Sequence, residues 1–183
     1  MLTIEQAFET ALDHHQTGRL TDAEALYRKF LAVQPNHADA LHYLGIIAHQ
    51  MGRNDLAVEL IHKAIAMVPA SSVFYSNLGE IYKKMGLLDE AILSFRRAIQ
   101  FNPDSAEACN NLGATLIDQG YDADAEIACQ TAVELKPNYV QARNNLGQRE
   151  ARAKRGNSAA RSSCLIAMPL RHVGANSPFR TKP

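Results

Sequence analysis

The chain has 183 residues, 46% hydrophobic and 21% charged, a mixture that suits one globular domain and excludes a fibrous or wholly unfolded chain. No apolar run is long enough to span a bilayer, and residues 1–15 lack the basic and apolar regions of a signal peptide, so the cytoplasm is the expected compartment. The net charge of zero is split: all nineteen acids lie at or before Glu150, which leaves −7 there, while Arg152, Lys154, Arg155, Arg161, Arg171, Arg180 and Lys182 give the remainder +7.

Taken in order, Thr3 is placed to cap a helix from Ile4 to about residue 17, with Gln6 closing a capping box. Thr21 and Glu24 offer a second capping box before a helix that reaches about Val33. Helices follow near 38–51 and 54–67, near 72–85 and 88–101, and near 106–119 and 122–135. A ninth starts at Val140. The stretch 72–103 shows the pattern most plainly. Tyr75, Leu78 and Tyr82 form an apolar face at i, i+3 and i+7. Gly86 ends that helix, where a left-handed residue is wanted. Ala91, Phe95, Ala98 and Ile99 form the second face, and Pro103 stops it.

This unit recurs every 34 residues. Pro35, Pro69, Pro103 and Pro137 keep the step, as do Gly18, Gly52, Gly86 and Gly120. Gly45, Gly79, Gly113 and Gly147 keep it too, and so do Ala23, Ala57, Ala91 and Ala125. From about Ile4 to about Arg149 the chain resembles the tetratricopeptide repeat family, whose signature is a helix–turn–helix of this period. The expected fold is all-α, a right-handed α-solenoid held by contacts between neighbouring repeats. Repeats are expected at about 4–37, 38–71, 72–105 and 106–139, with a partial one at 140–150. The small residues let paired helices approach closely. The first repeat is atypical: Thr10 and Ala11 stand where later repeats have Leu-Gly, and Phe30 replaces the small Ala64, Ala98 and Ala132.

The fifth repeat keeps Leu146 and Gly147, then loses the pattern at Glu150 and Lys154. Residues 151–183 contain no acid and three prolines, and read as a basic, disordered tail. An array that stops mid-repeat leads to the expectation that the coding frame is truncated or shifted near codon 150. Self-association through the uncapped end is a further expectation.

No phosphate loop, dinucleotide fingerprint, HExxH or CxxC motif occurs, so neither an enzyme nor a cofactor is expected. Among the seven histidines, His14 and His15 point to different sides of a helix. His42 and His49 share a face but stand about 10 Å apart along it, too far for one ion. No metal site is expected. Three cysteines form no disulfide framework, and Cys109 and Cys129 read as small core residues. The basic tail has one aromatic, Phe179, and the array is acidic, which argues against nucleic acid.

The first helix of each repeat packs on its partner through positions four, seven, eight and eleven. Positions two, five, six, nine and thirteen then form an opposite stripe, which lines the concave groove in the family. Position six holds Glu9, Tyr43, Asn77, Asn111 and Asn145; position five holds Phe8, His42, Ser76, Asn110 and Asn144. Asparagine carries both donor and acceptor and can pair with a peptide unit without reading its side chain. The candidate peptide-binding residues are therefore Asn77, Asn111, Asn145, Asn110, Asn144, Tyr43 and His42. Outside the core, the asparagines at position six should be removable with little effect on melting.

The NNLG steps are similar to the superhelical repeat region of O-linked N-acetylglucosamine transferases, in which such a ladder holds substrate polypeptides. The match covers Asn77, Asn111 and Asn145; Tyr43 and Glu9 depart from it. A carboxylate clamp needs basic residues on the stripe, and Glu107, Gln141, Asn111 and Asn145 do not supply them. The function expected is a non-catalytic scaffold that binds a protein or extended peptide in the groove. The alternative is a truncated substrate-recruiting region of such a glycosyltransferase, or of another enzyme fused to repeats.

Overall fold

The computed structural model describes residues 3–154 and contains, within them, nine α-helices and no strand. These are α1 (Ile4–Gln16), α2 (Leu20–Val33), α3 (Ala38–Gln50), α4 (Asn54–Met67), α5 (Ser72–Lys84), α6 (Leu88–Phe101), α7 (Ala106–Gln119), α8 (Asp122–Leu135) and α9 (Val140–Lys154). The last helix runs four residues past Glu150, where the apolar pattern breaks, because Ala and Arg sustain a helix without a core-facing stripe. The tail expected at 151–183 falls, from residue 155 onward, outside the described residues.

Each of the first four repeats begins with a side-chain cap. Thr3, His37, Ser71 and Ser105, 34 residues apart, each accept a backbone N–H from the first turn. Thr3 and Gln6 complete the expected capping box. The second expected box does not form. Helix α2 starts at Leu20, before Thr21, and Arg19 stands at its cap with no side-chain bond. The carboxylate of Glu24 is instead held by Arg28 and, at 2.6 Å, by Arg53 of the next repeat. Two guanidiniums outcompete one backbone amide for a carboxylate.

The inner turns are set by glycine. Gly18, Gly52, Gly86 and Gly120 have φ of 77°, 78°, 78° and 83°, a left-handed region closed to most side chains. The next residue then donates its N–H five residues back, as in Leu87 to Tyr82 at 2.9 Å and Tyr121 to Leu116 at 2.9 Å.

The helical glycines mark where paired helices cross. A β-carbon on Gly79 would lie 2.7 Å from the Phe95 ring, and one on Gly45 would lie 2.8 Å from Ile61 and 3.2 Å from the Ala57 carbonyl. Gly113 meets Cys129 in the same way. In the first repeat the fully buried Ala11 takes this place, with Tyr27 at the position that Ile61, Phe95 and Cys129 occupy later.

Each even-numbered helix packs between the odd-numbered helices before and after it, and α3, α5, α7 and α9 also touch one another in turn. The odd helices therefore form the inner layer of a right-handed α-solenoid, and the even helices form the outer layer. Three core clusters follow the chain. Tyr82 is shared by the first two and Ile99 by the last two, so the apolar interior is continuous along the array.

Candidate functional site

The inner layer has a seam wherever two odd helices meet, and a simple register governs it. Position five of one repeat faces position six of the next, 35 residues later. At the first seam the rings of Phe8 and Tyr43 lie 6.2 Å apart. At the second, the Asn77 amide and His42 Nε2 are 2.7 Å apart. At the fourth, the Asn145 amide donates to Asn110 Oδ1 at 2.8 Å. The third seam breaks the pattern. Position five there is Ser76, too short to reach, and Asn111 donates instead to Glu80 Oε1 at 2.8 Å. A second row crosses the first and third seams about two turns further on, with His15 to Gln50 at 3.0 Å and Lys83 to Asp118 at 3.2 Å.

This register relocates part of the candidate set. His42, expected to face a ligand, is buried, with its ring stacked on Phe74 at 4.6 Å. Burial pushes its pKa down to about 4, against a smaller upward pull from Asp39. Neutral, with Nε2 accepting from Asn77, it carries its proton on Nδ1. Asn110 is also buried. These two position-five residues are supports for their neighbours, because the next inner helix covers them. Asn144 is exposed, since among the described residues no helix follows α9 to cover it. Asn77, Asn111, Asn145 and Tyr43 are half-buried on the inner layer. Asn77 and Asn145 thus fasten successive repeats through buried partners, whereas the bond of Asn111 to the preceding repeat runs to the exposed Glu80.

The aromatic character of the first seam escaped the sequence reading. Phe8 lies 5.6 Å from Tyr27, 5.2 Å from Phe30 and 5.2 Å from His37. Tyr27 and Tyr43 are near parallel, with centroids 5.9 Å apart. The signal was present as Phe8 and Tyr43 at positions five and six, but a pairing between repeats shows only when register 35 is sought beside period 34.

The histidines serve structural bonds. His49 Nδ1 is 2.7 Å from Asn54, His62 Nε2 is 3.0 Å from the Tyr82 hydroxyl, and His37 caps α3. Among the described residues no group of three His, Cys, Asp or Glu side chains is placed to share a metal ion. Cys109 and Cys129 are buried, and burial raises the Cys109 thiol to about 11, which keeps it protonated and inert. No helix among the described residues is long and apolar enough to cross a membrane.

Family models for the tetratricopeptide repeat match residues 8–72, 72–105 and 106–139. The chain belongs to the tetratricopeptide repeat family. No curated protein matches it in sequence. Among solved structures, this tetratricopeptide repeat array is similar to MamA protein, with a TM-score of 0.75 at 24% identity over 85% of each chain. It is similar to YrrB, described as a repeat protein with an unusual peptide-binding site, with a TM-score of 0.71 at 21% identity over 86% of this chain and 81% of that one. It also resembles the first repeat domain of Spaghetti (RPAP3), bound there to the HSP90 peptide SRMEEVD, with a TM-score of 0.62 at 21% identity over 64% of this chain and 93% of that one. At these identities the likeness is one of fold.

Proposed function

We propose that this protein is a non-catalytic, cytoplasmic scaffold that holds an extended segment of a protein partner along its inner layer, without nucleic acid or membrane. The observation that carries this reading is the half-buried row Asn77, Asn111 and Asn145, one per repeat on successive inner helices. Each side chain commits one amide contact to the preceding repeat. An asparagine amide has a second N–H and a carbonyl oxygen left, enough to pair with one peptide unit. An extended chain advances ~3.3 Å per residue, so contacts one repeat apart suit every third residue of a ligand. Peptide binding by the similar YrrB and Spaghetti domains supports the reading.

The clean test is Asn111→Ala, because its bond to Glu80 is exposed. Affinity for an unstructured peptide should fall about twofold to tenfold, the worth of one hydrogen bond at roughly 0.5–1.5 kcal/mol. Melting should be unchanged. Equal affinities for variant and parent would remove the asparagine row from the function. The same row favours a second reading, a substrate-recruiting region of an O-linked N-acetylglucosamine transferase-like enzyme. Translating the other two frames downstream of codon 150 tests it; no repeat-like continuation in either frame would end it.

A further inference from the structure

Three features of the first seam share no explanation in the scaffold reading alone. The first is Tyr27. It is fully buried, and its hydroxyl has no hydrogen-bond partner among the described residues. The equivalent positions hold Ile61, Phe95 and Cys129, so the slot itself needs no hydroxyl. The Tyr27 ring reaches from α2 to the seam, where it meets both Phe8 and Tyr43. The Tyr43 phenol is near enough to act on it electrostatically, and burial holds its proton in place. A buried polar atom left unpaired destabilises the fold, so such atoms usually have a partner in the working state.

The second is unbalanced charge. Inner helices α1 and α3 contain Glu5, Glu9, Asp13 and Asp39 and not one Lys or Arg. Glu5, Glu9 and Asp13 repeat at i, i+4 and i+8, a spacing at which like charges repel. Asp13 is matched by Arg19 from the following turn, but Glu5, Glu9 and Asp39 are exposed and form no ion pair among the described residues. The other half of the inner layer differs: Lys136 pairs with Glu107, and Lys83 pairs with Asp118. First-turn sites for Glu5 and Asp39 suit the helix dipole, and still leave their oxygens available. The third is position. Asp39 stands one turn before Tyr43 and Glu5 one turn before Phe8, each on the same helix face as its ring.

We propose that this seam is a subsite for a lysine or arginine side chain of the bound peptide, formed by the rings of Phe8 and Tyr43, the Tyr27 hydroxyl and the carboxylates Glu5 and Asp39. It rests on the groove reading above and specifies the chemistry of the partner. A cation over an aromatic ring is attracted by the ring face. Its N–H groups give the carboxylates and the orphan hydroxyl the donors that they lack. An acidic peptide, by contrast, meets uncompensated negative charge here.

The test uses the full chain and two fluorescein-labelled peptides of glycine, serine and alanine, identical except for a central lysine in one and norleucine in the other. The lysine peptide should bind about tenfold tighter, a difference of about 1.4 kcal/mol. Asp39→Asn, at an exposed site that does not threaten folding, should shrink that ratio severalfold, and Tyr43→Leu should do the same while keeping apolar bulk. Added salt should also shrink it. Asn111→Ala should weaken both peptides equally and leave the ratio alone. Two tight but equal affinities would overturn the subsite and leave the groove standing. Binding of the lysine peptide alone, indifferent to Asn111→Ala, would keep the subsite and sink the backbone reading. Absence of binding by both would overturn both.

Discussion

The first and fourth seams of the inner layer occupy the same register and are built from opposite materials. Between repeats one and two the contact is Phe8 against Tyr43, part of an aromatic group with Tyr27, Phe30 and His37. Between repeats four and five it is an amide pair, Asn145 to Asn110. The outer helices differ between the same two ends, with Tyr27 and Cys129 at one position. The solenoid thus fixes where neighbouring repeats must touch, and leaves the chemistry of the touch open. An aromatic seam stabilises by buried area and an amide seam by directional bonds, so the two ends should respond differently to mutation, to acid and to ligand.

The largest contrast should come from truncation at the shared outer position. Tyr27→Ala removes a fully buried ring and should cost about 3–5 kcal/mol, whereas Cys129→Ala removes one atom and should cost about 1 kcal/mol. Denaturant midpoints would measure both; similar losses would mean that the first repeat is no better packed than the fourth. Next in size is overpacking. Gly79→Leu drives a side chain into Phe95 and should cost about 1–3 kcal/mol. Gly147→Leu should cost nothing and gain a few tenths of a kcal/mol from helix propensity. At Gly147 no atom among the described residues lies within 4 Å of the β-carbon site. A damaging Gly147→Leu would reveal that α9 is already covered.

Acid should separate the second seam from the fourth. His42 is held neutral, with its pKa depressed to about 4 from an ordinary 6.5. The unfolded chain therefore binds a proton that the folded one refuses. The contribution of this group is fully present above pH 6.5 and is lost as pH falls toward 4, at up to about 1.4 kcal/mol per pH unit. His42→Phe should flatten that part of the pH–stability curve; an unchanged curve would place the proton elsewhere. Asn145→Ala should cost about 1 kcal/mol at any pH, since the amide pair does not titrate. The smallest effect is expected at the third seam. Asn111→Ala, whose partner Glu80 is exposed, should shift the midpoint by less than about 0.5 kcal/mol, and a larger shift would make it a fastener like Asn77 and Asn145.

Much of this architecture can be read from the sequence because its determinants are local and periodic. Left-handed glycines at 18, 52, 86 and 120 and prolines at 35, 69, 103 and 137 punctuate helices whose bounds fall within a residue of those expected for most elements. Close-contact glycines named the helix crossings before the structure placed Phe95 and Ile61 against them. The period alone therefore determined the fold, since each unit leaves an apolar face that only an identical neighbour can bury.

What the sequence could not determine is which polar side chains remain available. His42 and Asn110 look exposed on a single helix, and are covered once the next inner helix arrives. Thr21 and Glu24 read as a cap until Arg53, 29 residues away, takes the carboxylate. The orphan hydroxyl of Tyr27 and the unmatched charges of Glu5, Glu9 and Asp39 exist only as relations between repeats. Helix capping and turn conformation act over a few residues and are written into local sequence. Seam pairing acts across a repeat, at an offset set by how helices cross, and only the tertiary structure decides it.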